Sequence, residues 1–408
     1  MKQTLASRSL ESPFVLEGPY VQLGSFKDVV FSHDVNRRIS IDMRFTKFSR
    51  RVIRAQASQQ SLQRASYFLR STGPFSLAFT VEFNQKTETI QLHNFTVTRP
   101  RRDEPDVLVK VANKRIVNLY GRRVSIPIEE APERKIRRRP RAHIMQRHFM
   151  WIVSSPYHEE QDAKKQFLLR RITGAIEQFF DQYILYIGPL REYPKRYYIS
   201  SGEKPSDVGL RGEKTVDFLY LHRLRIIDEI TGWLKKFKMA REVKVVKVAA
   251  GIWKVELVNL RTGISDNLKD VGFGVSQVLP IVTEGIMAQP GTTIMVEQPE
   301  IHLHPKAQAQ LADLFIQLAK EGKFSLIETH SEHMILRFAR RIAEGSLKKE
   351  DIVIYEFKLL KGGSRVKEIS FDEYGNLKEW PAEFFETELE ETIKHVKAQG
   401  RRRKKGKP

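Results

Sequence analysis

The sequence predicts a mixed α/β protein: an antiparallel β-rich region, then a helical stretch, then a parallel α/β core. Three observations predict it. In "FSLAFTVEF", Phe75, Leu77, Phe79, Val81 and Phe83 recur at every second residue, the period of a strand with one buried face. Between residues 160 and 240, apolar residues recur instead at spacings of three and four, the period of an amphipathic helix. From about residue 243 onward, short apolar runs alternate with helical patterns, the order that builds a parallel sheet with helices on its faces.

Taken in order, residues 14 to 120 carry five β-rich stretches separated by turn signals: "FVLEGPYVQLGSF", "RISIDMRF", "FSLAFTVEFN", "ETIQLHNFTVTR" and "DVLVKVANKRIVNLYG". Two helices are expected next, "QDAKKQFLLRRITGAIEQFFDQYILYI" and "KTVDFLYLHRLRIIDEITGWLKKFKM", joined by the loop "GPLREYPKRYYISSGEKPSDVGLRGE". The core then reads as "EVKVVKVAAGIWKVELVN", a helix near 276 to 288, strand "TTIMVE", helix "PKAQAQLADLFIQLAKEG", strand "FSLIETH", helix "EHMILRFARRIAEG" and strand "DIVIYEF". No internal repeat is visible.

Composition narrows the function classes. The 408 residues are 41% hydrophobic, enough for two or three packed regions at roughly 100 to 200 residues per domain. With no cysteine, disulfide frameworks and thiolate metal sites are excluded, and the cytoplasm is the default expectation. No apolar run approaches the roughly 18 residues of a membrane span, and "MKQTLASRSLESPF" lacks the apolar core of a signal peptide, so no membrane partner is expected. The formal charge of +21 gathers partly in "RKIRRRPRAHIMQRH", Arg134 to His148, and in the tail "KAQGRRRKKGKP". Such a field attracts phosphate polymers without reading their sequence, which makes nucleic acid a candidate partner. The tail has no apolar residue beyond Ala398 and is expected to be disordered.

Chemistry concentrates after "TTIMV". The loop from Glu297 to His304 follows a buried parallel strand, and Pro305 suits the first position of the next helix. In open α/β sheets, ligands bind outside the carboxyl ends of the strands. The next strand ends similarly, with Glu328, His330 and His333, so two polar clusters should share one edge. Two chemistries fit. Histidines 302 and 304, with His330 or His333 and carboxylates, could hold a divalent ion that activates water. Alternatively, an acidic residue ending the strand holds magnesium, a polar neighbour orients water and a histidine on the next strand senses a γ-phosphate. The second explains more of the arrangement.

At these residues a family resemblance emerges. "IMVEQPEIHLHPKAQAQL" resembles the Walker B and D-loop segment of ABC/SMC-type AAA-family ATPases, the group containing RecF-like and overcoming-lysogenization-defect proteins. "LIETHSEHMILR" is similar to their switch-histidine segment, and "DVGFGVSQVLPIV" to their signature segment. "GPYVQLGSFKDVV", "YIGPLREYPKRYY", "GLRGEKTV" and "FDEYGNLKEWPAEFF" resemble segments of an uncharacterised prokaryotic subgroup. The resemblance implies a P-loop ATPase head: a β-rich part over 1–125, a basic linker and helical insertion over 126–242, an ATPase lobe over 243–395, and the basic tail 396–408.

It also implies roles. Glu297 holds magnesium. Gln298 stands where most of the family place a catalytic Glu; an amide orients water but cannot take its proton, which leaves Glu300 as the nearest substitute base. His330 senses the γ-phosphate. Gly272, Gly274 and Ser276 open a helix whose N–H groups meet the γ-phosphate bound by a partner subunit, so ATP, magnesium and a head-to-tail homodimer are implied.

One departure is large. The phosphate cradle "GxxxxGK[ST]" does not occur: Gly322-Lys323 is followed by Phe324 and Gly406-Lys407 by Pro408. The start "MKQTLASRSLES" resembles the second half of the helix that follows this cradle in the family. A longer frame upstream of Met1, a truncated gene or a separate polypeptide would each account for that, and the first is the expectation taken. The competing class is a scaffold or nucleic-acid-binding partner without catalysis, against which stand Glu297, Glu300 and His330.

Overall fold

The computed structural model describes residues 14–18, 20–45, 75–99, 106–112, 115–119, 122–127, 179–200, 202 and 204–379, with a few positions among 394–399. The basic cluster Arg134 to His148, most of the first expected helix and most of the tail lie outside the described residues. The chain divides into two compact units, Met1–Leu185 with Gln289–Thr292, and Tyr186–Ala288 with Thr293–Pro408. Among the described residues no helix is long and apolar enough to cross a membrane.

The first unit is built on a six-stranded antiparallel sheet whose strands follow chain order: β1 (Ile39–Phe45), β2 (Phe75–Asn84), β3 (Thr89–Arg99), β4 (Asp106–Ala112), β5 (Arg115–Leu119) and β6 (Arg122–Pro127). Strand β2 shows the expected period of two, with Phe75, Leu77, Phe79 and Val81 buried. Across the ladder Leu77 pairs with Val97 and Phe79 with Phe95, so cross-strand apolar pairs build this core. Phe83 is half-buried and stacks on Phe26 with ring centroids 5.6 Å apart. Upstream, the described residues of "FVLEGPYVQLGSF" do not form a regular strand. They make one isolated bridge, Glu17 with Gln22, before the short helix α1 (Phe26–Val29).

The second unit mixes helices with two kinds of sheet. A parallel pair, β12 (Thr293–Glu297) and β13 (Phe324–Glu328), lies in a sheet of order β13-β12-β7, and of β7 (Ile184–Ile187) the residues Tyr186 and Ile187 belong to this unit. A separate antiparallel sheet contains β8 (Tyr198–Ile199), β9 (Glu242–Ala249), β10 (Ile252–Val258) and β11 (Ser265–Asn267), and the hairpin β14 (Ile354–Leu360) and β15 (Gly363–Ile369) stands apart. Helix α2 (Thr215–Lys236) packs on β9 and on α3 (Phe273–Met287) with Phe218, Leu219, Ile226, Ile230 and Leu234 buried. Helix α4 (Pro305–Lys320) lies against α5 (Glu332–Ala343), where Asp313 takes hydrogen bonds from Arg337 and Arg341 at 2.7 Å each.

Three expectations are corrected. "YILYI", read as the end of a helix, contains strand β7, because Leu185 and Ile187 alternate into the interior. "EVKVVKVAAGIWKVELVN" belongs to the antiparallel sheet, not the parallel one. Ala249 faces Ile252 across a two-residue turn at Gly251 (φ 71), whereas a parallel pair needs a crossover of about a dozen residues or more. "DIVIYEF" likewise turns back on itself, Leu360 facing Gly363. The parallel pair is therefore β12 with β13. Among the described residues strand β13 ends one side of its sheet, and Phe324 and Leu326 on one of its faces are 57% and 56% exposed.

Candidate functional site

Strand β12 buries Ile294 and Val296 on one face and leaves Thr293, Met295 and Glu297 half-exposed on the other. Its parallel register sets Glu297 directly beside Glu328, so both strands deliver a carboxylate to the same edge, as the sequence predicted. The loops that follow are tied together at once. The Gln298 N–H donates to the Glu328 carbonyl at 2.8 Å, and the His330 N–H donates to Glu300 Oε1 at 2.7 Å.

The geometry separates the three acidic or amide residues. Glu297 Oε1 accepts a 2.5 Å hydrogen bond from the Tyr186 hydroxyl of β7, which leaves Oε2 for an ion. Gln298 is half-buried and stands at φ 43, in the left-handed backbone region that a side chain disfavours. Glu300 is only 8% exposed, and its Oε2 has no hydrogen-bond partner among the described residues. Arg191, 3% exposed, donates from Nη2 to the Glu297 carbonyl at 2.7 Å and from Nη1 to the Gln298 carbonyl at 3.0 Å.

Burial governs the electrostatics. It pulls the Arg191 guanidinium down to about 10, although the Glu300 and Glu297 carboxylates push the other way, so it stays charged at neutral pH. Burial also lifts the Tyr186 phenol well above its ordinary value, reinforced by its bond to Glu297. A protonated phenol donating to a carboxylate fixes which oxygen faces outward. Glu297 fits magnesium on these grounds: a hard oxygen ligand at a strand end beside a second carboxylate, the usual protein share of a site completed by water and substrate phosphate.

Helix α3 begins beside this loop. Gly272 is its N-cap, with open space around it, whereas a Cβ on Gly274 would stand 3.0 Å from the His302 carbonyl, so a larger residue there would require the loop to give by a few tenths of an ångström. Ser276 is 7% exposed and its hydroxyl donates to the Phe273 carbonyl at 2.7 Å. The hydroxyl is thus spent on the first turn, and the free donors here are backbone N–H groups. The Phe273 ring meets His302 edge-on at 4.9 Å and Tyr193 at 4.9 Å.

The histidines are spread out. His302 is exposed, at φ 60, against Phe273. His304 caps α4, its Nδ1 accepting from the Lys306 N–H at 3.2 Å. The His330 side chain is 77% exposed, its Nε2 3.9 Å from Glu328 Oε1, and His333 is exposed on α5. Among the described residues no group of three or more acidic or histidine side chains is arranged to hold a metal ion.

Sequence reasoning missed Tyr186 and Arg191. Arg191 sits in "YIGPLREYPKRYY", where nothing in the local pattern marks an arginine as buried, and Tyr186 was hidden by the helical reading of its strand.

Residues 190–335 match the family model described as an AAA ATPase domain, a span that contains Arg191, the α3 start and every site residue from Glu297 to His330. Comparison with curated proteins finds no match. Among solved structures, the chain is similar to an SMC head bound to the C-winged helix domain of ScpA (12% identity, TM-score 0.34, 74% of this chain and 76% of that one). It is also similar to the SMC head domain of Thermotoga maritima (7%, 0.30, 72% and 73%). A third is the SMC head with extended coiled coil from Pyrococcus furiosus (10%, 0.29, 85% and 87%).

Proposed function

We propose that this edge is the magnesium-dependent ATP hydrolysis site of an ABC/SMC-type ATPase that works as a nucleotide-gated homodimer. The observation that carries the reading is the parallel register of Glu297 and Glu328, which sets Gln298 and His330 in adjacent loops at the carboxyl ends of two strands. The match of this region to an AAA ATPase domain supports it.

In this reading Glu297 would hold magnesium, which would supply charge neutralisation for phosphoryl transfer. Gln298 orients the attacking water, whose oxygen bonds to the γ-phosphorus as the bridging oxygen leaves with ADP. The water's proton needs an acceptor that an amide is not. Glu300 is the nearest candidate, and its burial against the His330 N–H makes it a constrained base, so intrinsic turnover is slow. His330 senses the γ-phosphate. Gly272 and Gly274, with Ser276 in the first turn, offer the backbone N–H groups of the α3 start to the nucleotide of a partner copy. Nucleic acid would be drawn by the +21 field and its two basic clusters, without sequence preference.

Calorimetric titration with ATP into the millimolar range, with and without magnesium, tests this. The sequence holds no "GxxxxGK[ST]" loop, so a dissociation constant weaker than about 10 μM is expected, about −7 kcal/mol at best. Glu297→Gln should remove the magnesium dependence. Equal affinity with and without magnesium in the parent protein would sink the reading.

A further inference from the structure

Arg191 follows β7 by four residues and is almost fully buried. A buried guanidinium is costly unless its donors are used. Here Nη1 and Nη2 reach two successive carbonyls, those of Gln298 and Glu297, at 3.0 and 2.7 Å, while Nε has no partner. The residue between those carbonyls is Gln298, held at φ 43, with its own N–H bonded to the Glu328 carbonyl at 2.8 Å. The peptide groups on both sides of position 298 are thus restrained, in a backbone conformation that a glutamine does not choose. A lysine could not do the same, because an ammonium is a point donor and a guanidinium a planar fork.

We propose that Arg191 is a positioning residue for Gln298: its fork across the 297 and 298 carbonyls holds the backbone from which the amide side chain projects. This rests on the hydrolysis reading only for what the amide then does. There, a misplacement of about 1 Å is enough to cost on the order of 10²-fold in rate.

The test pairs Arg191→Lys with Gln298→Gly, since glycine accepts the left-handed backbone without help. Circular dichroism establishes that each variant is folded. In the parent background Arg191→Lys should lower the Tm, and in the Gln298→Gly background by less than half as much. Exchange of the Gln298 N–H should accelerate at least tenfold in Arg191→Lys, with that of the α4 amides unchanged. With ATP and magnesium, Arg191→Lys should lower kcat at least tenfold with KM within threefold. An equal Tm loss in both backgrounds, or unchanged exchange at Gln298, overturns the proposal, as does a raised KM at constant kcat. ATP affinity that does not depend on magnesium overturns the hydrolysis reading instead, and the Tm coupling and exchange still decide the role of Arg191.

Discussion

Replacing Glu300 by alanine should destabilise the second unit by about 3 kcal/mol. The structure supplies two contributions. The first is the 2.7 Å bond from the His330 N–H to a carboxylate that is 8% exposed, and a hydrogen bond to a charged acceptor is worth about 1.5–3 kcal/mol. The second is the loss of the larger of the two carboxylate attractions on buried Arg191. Removing one member of a buried pair costs about 3–5 kcal/mol when nothing remains to compensate, but here Glu297 and two carbonyl bonds remain, so a fraction applies. Glu300→Gln keeps an oxygen for the His330 N–H and loses only the charge, and should cost about 1 kcal/mol. Urea unfolding followed by the fluorescence of Trp233 and Trp253, both in this unit, measures each value at a shared slope. If Glu300→Ala falls within about 0.5 kcal/mol of the parent, the link between the two loops does not exist as described. If Gln and Ala cost the same, the charge matters and the N–H bond does not.

Three further outcomes are expected. In a version of the protein extended upstream to carry a phosphate loop, Gln298→Glu should raise phosphate release, by up to about 10² to 10⁴-fold for a well-placed proton acceptor, and an unchanged rate would locate the base elsewhere. Lys323→Met should cost about 2–4 kcal/mol, because this 5%-exposed ammonium bonds the Gly285 and Ile286 carbonyls at the end of α3 and Glu321 at 2.7 Å; a loss below 1 kcal/mol in urea unfolding argues against that role. Tyr186 has a folded pKa raised above the unfolded value of about 10, so its contribution is full below that pH and is lost as pH rises through the folded value. Tyr186→Phe should therefore show a flatter loss of stability above pH 10, and superimposable alkaline limbs would contradict the phenol–carboxylate bond.

The fold class and the meeting of Glu297 and Glu328 at one sheet edge were legible in the sequence, and several individual elements were not. An apolar pentapeptide ending in Glu, a loop, then a second such pentapeptide can be read from local pattern, because the parallel register needs no more than two strands of equal length. What escaped was whatever depended on chain reversal. The Ala250-Gly251 and Lys361-Gly362 turns convert runs that look like buried parallel strands into hairpins, and two-residue turns outrank the apolar content of their flanks. Arg191 escaped for a different reason. Its partners are carbonyl oxygens more than a hundred residues away, and backbone acceptors leave no trace in a sequence. Lys323 was read only as a Gly-Lys pair failing to make a phosphate loop; the structure gives it a post at a helix end instead.

Strand β13 has a colloidal consequence. Its outer edge bears no strand among the described residues, and Phe324 and Leu326 project beside that edge more than half exposed. Such an edge is a template for pairing with another chain, and apolar neighbours strengthen the contact. At low ionic strength the charge of +21 opposes this, since copies repel before their edges meet. Added salt shortens the reach of that repulsion from about 10 Å at 0.1 M to about 3 Å at 1 M, and leaves backbone pairing and apolar contact intact. Solubility should then fall as salt rises, and low ionic strength is the condition under which this protein stays dispersed.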